Sequence, residues 1–160
     1  PGVLTEDTAD MAMALIVYFS RHADLNNGAI AQEVVKIAAA KVALPFWTAF
    51  FRGVMCNVLV CMAVWMVLGG RSVADKFFAV LLPISAFVAA GFEHSIANMY
   101  FIPLAMLLQG LDGVGANGPL ITVAGFAGNL VPVILGNIMG GSVLVGLVYY
   151  VIYRRPADSK

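Results

Sequence analysis

Residues 77–109 form a block of 33 with a single formal charge, Glu93, and this block limits what the chain can fold into more than any other feature. As one continuous α-helix it would run about 50 Å, against a bilayer core of roughly 30 Å. A helix of this composition has to be broken or steeply tilted. Its middle, Gly91-Phe-Glu93-His94-Ser95-Ile-Ala-Asn98, places four polar side chains within six residues, with Pro83 and Pro103 at a distance on either side. An interruption near Gly91, with the helix resumed beyond it, accounts for both the length and the polar cluster.

Composition fixes the solvent. With 61% hydrophobic and 11% charged residues in 160, and a mean hydropathy of +0.92, the chain falls far short of the roughly quarter to third of charged positions that a water-facing surface wants. Soluble enzymes and basic nucleic-acid modules are excluded, and zero net charge leaves no electrostatic footprint for DNA or RNA. Cys56 and Cys61 lie about 140° apart on a helix and read as two buried thiols rather than a metal pair. No His-Glu-x-x-His, Gly-x-Ser-x-Gly or phosphate-loop pattern supports enzymatic chemistry, and no cofactor is expected.

The remaining blocks are read against the roughly 20 residues needed to cross a bilayer. Residues 1–10 (PGVLTEDTAD) lack the basic start and cleavage pattern of a signal peptide and stand as an unassigned leader. Residues 11–160 make one domain. Met11–Phe19 is too short to span, and SRHADLNN, with His22, is a solvated loop. Gly28–Leu44 predicts an amphipathic helix, and Phe46–Gly70 the first full span, with Arg52 as a helix-end charge and a polar turn, GRSVADK, after it. The spans are about 46–70, 77–109 (broken) and 120–153. Within the last, Asn129-Leu-Val-Pro132 predicts an N-cap with proline in the first turn, so the final helix is expected over 132–153 with a shorter piece before it. Gly136 and Gly140 share one face and predict close helix approach. Arg71 and Lys76, with Arg154, Arg155 and Lys160, put the cytoplasm beside these clusters and hence the C-terminus inside. Lys41 then falls on the opposite side and calls for a partner.

An ionisable residue inside a span persists mainly where it faces protein, water or a transported solute. Glu93 and His94 are therefore the strongest functional candidates. Desolvation favours the neutral form of a buried imidazole. If residues 94–98 are helical, Asn98 lies over the same face as His94 and both line one path. Glu93 is expected to form a structural ion pair with Lys41. Asn57 and Asn137, each in mid-span, predict hydrogen bonds to neighbouring helices.

Three stretches resemble the formate/nitrite transporter family. Gly53-Val-Met-Cys-Asn57-Val-Leu-Val-Cys61-Met-Ala63 is similar to its second signature, departing at Met62. Gly91-Phe-Glu-His94-Ser-Ile-Ala-Asn98-Met resembles its fifth-helix break, and Asn129-Leu-Val-Pro-Val-Ile-Leu-Gly-Asn137-Ile-Met-Gly-Gly its sixth helix. The resemblance covers about residues 12–155. It implies an all-α membrane protein: an aquaporin-like helical bundle with broken helices, here the second inverted repeat plus the end of the preceding span. It also implies a homo-pentamer in the lipid bilayer of a bacterial inner membrane, each protomer with its own pore for formate, nitrite or similar small anions. His94 would be the central pore histidine, Phe87 and Val60 the periplasmic constriction, Asn57 and Asn137 paired asparagines beside the pore, and Lys41 and Glu93 the charged pair. MYFIPLAMLL after the break leans towards formate channels. The family's first-half signature is missing, so the chain reads as a partial sequence. A half-unit pore for neutral solutes and a non-transporting fragment are the other readings.

Overall fold

The computed structural model describes residues 12–21, 28–110, 114 and 119–153, all of whose regular structure is helical. The leader, His22 and the basic residues after Tyr153 lie outside the described residues. After a helix over 12–19 (α1) come α2 (Ala29–Val42), α3 (Phe46–Gly69), α4 (Val73–Ala89), α5 (Ser95–Leu108) and α6 (Val123–Ile138), a π-helical stretch (Met139–Leu147) and α7 (Val148–Tyr153). Two compact units result, one of Pro1–Phe46 with Ser95–Pro132, the other of Trp47–His94 with Val133–Lys160.

In the first unit, α2 begins behind Gly28, whose φ of 78° is a left-handed conformation that glycine adopts without a Cβ penalty. Ala31, Val35 and Ala38 recur at helical spacing and are buried. They join Ile102, Leu104, Ala105 and Leu108 of α5 in one core with Ala14, Val114 and Ile121. Three alanines at this contact allow close helix approach. The opposite face of α2 carries the exposed pair Glu33–Lys36 at 3.3 Å. Gln109 ties the end of α5 to the segment leading into α6: its amide donates to the Ile121 carbonyl at 2.8 Å and its oxygen accepts the Ile121 N–H at 2.9 Å.

In the second unit, α3 has 24 residues, about 36 Å, enough to cross a bilayer core. Residues 123–153 form a second helix of sufficient length and hydropathy, 31 residues long. From Val133 onward this helix packs on α3 through glycines. A methyl group on Gly136 would overlap the Phe50 carbonyl, and one on Gly140 the Val54 carbonyl. The expected small-residue seam is thus a contact between backbones, in which any larger side chain meets main chain that cannot yield. Trp65, Tyr149 and Tyr153 stack in near-parallel fashion at one end of the same pair, with Trp65 and Tyr149 centroids 4.0 Å apart.

Two helix starts differ from the sequence reading. The helix assigned to Phe77 onward begins at Val73, because Ser72 and Asp75 form a capping box: Ser72 Oγ accepts the Asp75 N–H at 3.1 Å, and Asp75 accepts the Ser72 N–H at 2.9 Å. Those bonds, led by the Ser72 N–H, hold the exposed Asp75 carboxyl below the usual aspartate range. The final helix begins at Val123 rather than at Asn129–Pro132. Thr122 Oγ1 accepts the Gly125 N–H at 3.1 Å there, and Pro132 sits inside the helix, as prolines do in apolar helices whose neighbours satisfy the freed backbone.

Candidate functional site

The interruption between α4 and α5 is built by a glycine C-terminus. Gly91 has a φ of 66°. Its N–H donates to the Val88 carbonyl at 3.1 Å, and the Phe92 N–H donates to the Phe87 carbonyl at 3.0 Å. This pair of bonds around a left-handed glycine is a Schellman stop, so the polar residues begin where the helix has satisfied its last carbonyls. At 17 and 14 residues, α4 and α5 are each shorter than a full span.

Glu93 follows, 3% exposed. Its N–H donates to the Arg52 carbonyl of α3 at 3.4 Å, and its carbonyl accepts from Asn137 Nδ2 at 3.1 Å. Asn137 Nδ2 also donates to the Gly53 carbonyl at 2.9 Å, while Asn57 Nδ2 donates to the Asn137 carbonyl. The hydrogen bonds expected of these two mid-span asparagines are therefore present, and one of them ends on the break itself. Backbone exposed by breaking a helix in an apolar medium costs several kcal/mol per unmet group, and this network meets it.

His94 is half-buried and lies outside the helix, immediately before Ser95. Its ring faces that of Phe87, centroids 6.0 Å apart and planes inclined by 26°. Val60 is half-buried on α3, three residues beyond Asn57. The second unit thus holds Phe87, Glu93, His94, Asn57, Val60 and Asn137. Asn98 and Lys41 belong to the first unit. The helical relation expected between His94 and Asn98 is not made, because α5 starts after His94. Asn98 is buried and its amide donates to Asn129 Oδ1 at 2.7 Å; Asn129 Nδ2 donates in turn to the Lys41 carbonyl at 2.8 Å. Asn129 is the residue that sequence reasoning misassigned. Its signal was an amide eight residues before Asn137 in a block with no charge, which asks for a distant partner as much as for a cap. Among the described residues, no cluster of three or more His, Cys, Asp or Glu could hold a metal ion.

Long apolar helices, one interrupted at a buried carboxylate and a histidine and tied by asparagines to its neighbours, have the length and composition of membrane spans. The formate/nitrite transporter family matches residues 8–151, and the chain belongs to that family. It is 41% identical over 158 residues to the formate channel FocA of Escherichia coli K12, covering 92% of this chain and 55% of the relative. It is also 41% identical over 127 residues to the nitrite transporter NirC of the same organism, covering 79% of this chain and 44% of that one. A solved pentameric formate channel with formate bound superposes with a TM-score of 0.81 at 36% identity, over 90% of this chain and 60% of that structure. The chain spans about half the length of the curated relatives it matches.

Proposed function

We propose that this chain, as part of a complete protomer, serves the passage of small monovalent anions, formate first, through a pore whose central polar group is His94. The observation that carries the reading is a half-buried histidine at the interruption of an otherwise apolar helix, in a member of the formate/nitrite transporter family. Moving a bare carboxylate through an apolar constriction is costly. An imidazolium that hands its proton to formate gives neutral formic acid and neutral imidazole, and the acid crosses with much less desolvation. The proton returns to solvent on the far side, and the imidazole is recharged from water on the near side. Phe87 and Val60 supply the dry constriction, Asn57 and Asn137 border the path through the backbone they hold, Asn98 borders it too, and Lys41 and Glu93 form a structural pair. The assembly is a homo-pentamer in a bacterial inner membrane with the C-terminus in the cytoplasm.

A second anion has its own support, since a nitrite transporter is as similar in identity as the formate channel. Uptake of formate and of nitrite into proteoliposomes holding the full-length protein separates the two. The reading expects saturable formate uptake that rises as external pH falls, and His94→Phe abolishes this pH-dependent component. Unchanged pH dependence in His94→Phe would sink it.

A further inference from the structure

Asn137 is 7% exposed, and both amide hydrogens are engaged, one by Gly53 of α3 and one by Glu93 of the break. A side-chain amide has two N–H donors in a fixed plane, so its direction towards Glu93 is set by its bond to α3. The Glu93 carbonyl and the His94 nitrogen belong to one planar peptide unit. Fixing that carbonyl fixes the plane from which the His94 side chain departs. The other side of Glu93 is held as well, through its N–H to the Arg52 carbonyl. An amide with both hydrogens committed in this way has none left for a passing anion.

We propose that Asn137 is the positioning residue for His94: by gripping the Glu93 carbonyl it sets the peptide plane that holds the imidazole against Phe87, and it acts on transport only through that plane. The inference rests on the reading of His94 given above. A purely structural asparagine would change the amount of folded protein and leave the titration of the surviving histidine alone. A positioning asparagine changes both.

The test uses full-length protein in proteoliposomes, with formate uptake measured against pH for wild type, Asn137→Ala and Asn137→Ser. In parallel, diethyl pyrocarbonate modification of His94 is followed against pH by peptide mass mapping, which reads the imidazole without reference to transport. Assembled Asn137→Ala is expected to lose roughly tenfold to a hundredfold in uptake, the range associated with small misplacement of a reacting group. The pH midpoints of both measurements move away from those of wild type. Asn137→Ser, which keeps one donor, falls between. A wild-type midpoint in assembled Asn137→Ala overturns the proposal, and so does failure of both variants to assemble, which makes Asn137 a folding residue only. If wild type carries no formate, the transport reading fails, and the modification midpoint alone decides the positioning claim.

Discussion

Two buried asparagines on α6, eight residues apart, are used differently. Asn129 belongs to the first unit and joins side chain to side chain, to Asn98, and ends on the Lys41 carbonyl in the last turn of α2. Asn137 belongs to the second unit, and its Nδ2 donates to two backbone carbonyls, one of them in the irregular segment that carries His94. The first arrangement locks regular helices together. The second stabilises a place where a helix has been opened. The same side chain in the same apolar helix is thus a packing device in one unit and a brace for exposed backbone in the other, and variants that separate stability from pH response distinguish them.

The largest effect is expected at Glu93. Removing one member of a buried ion pair costs about 3–5 kcal/mol, and removing both often costs less. If Lys41 and Glu93 are the pair proposed above, Glu93→Gln sharply lowers the yield of folded protein in detergent, and adding Lys41→Met recovers part of it. Simple additivity of the two changes would show that Lys41 and Glu93 are not partners, leaving the asparagine network alone to brace the break.

Next is the seam beneath that network. Gly140→Ala sets a methyl against the Val54 carbonyl, and overpacking against main chain costs about 1–3 kcal/mol. Thermal unfolding of the solubilised protein should register the loss, while alanine at the open position Gly128 should not. Equal effects at the two sites would contradict the close approach of α3 and residues 133–145.

Asn129→Ala removes the buried bond to Asn98 and the bond to the Lys41 carbonyl, at about 1–3 kcal/mol. The expectation is a lower unfolding temperature. The smallest change is at the cap of α4. Ser72→Ala should cost about 1 kcal/mol. Because the folded state depresses the Asp75 carboxyl, the contribution of the box is present above the unfolded aspartate value of about 3.9 and fades as pH falls below it. The stability difference between wild type and Asp75→Asn, which removes the titrating carboxylate, should narrow on acidification, as urea titration at several pH values would show. A constant gap would count against the box.

The comparison also shows what the sequence could disclose. The interruption near Gly91 was legible because two local facts coincide there, excess apolar length and a glycine followed by polar residues. The small-residue face of Gly136 and Gly140 was legible from spacing. The start of α4 was hidden inside GRSVADK, whose Ser-x-x-Asp pattern is itself a cap signal. Asn129-x-x-Pro132 reads as a helix start in local terms, and only a bond to Lys41, 88 residues earlier, shows that the amide is used elsewhere. Asn137 was expected to bond a neighbouring helix, but nothing local says that one of its two partners is the carbonyl preceding His94. Propensity and spacing report what a residue can do nearby, and the choice between distant acceptors is made by packing.

The most direct measurement sets the two asparagines side by side: the pH midpoint of formate uptake by full-length protein in proteoliposomes, for Asn129→Ala and Asn137→Ala against wild type, at matched amounts of assembled protein. The midpoint is expected to stay at the wild-type value in Asn129→Ala and to move away from it in Asn137→Ala. Midpoints that shift together, or not at all, would contradict the division of roles between the two networks.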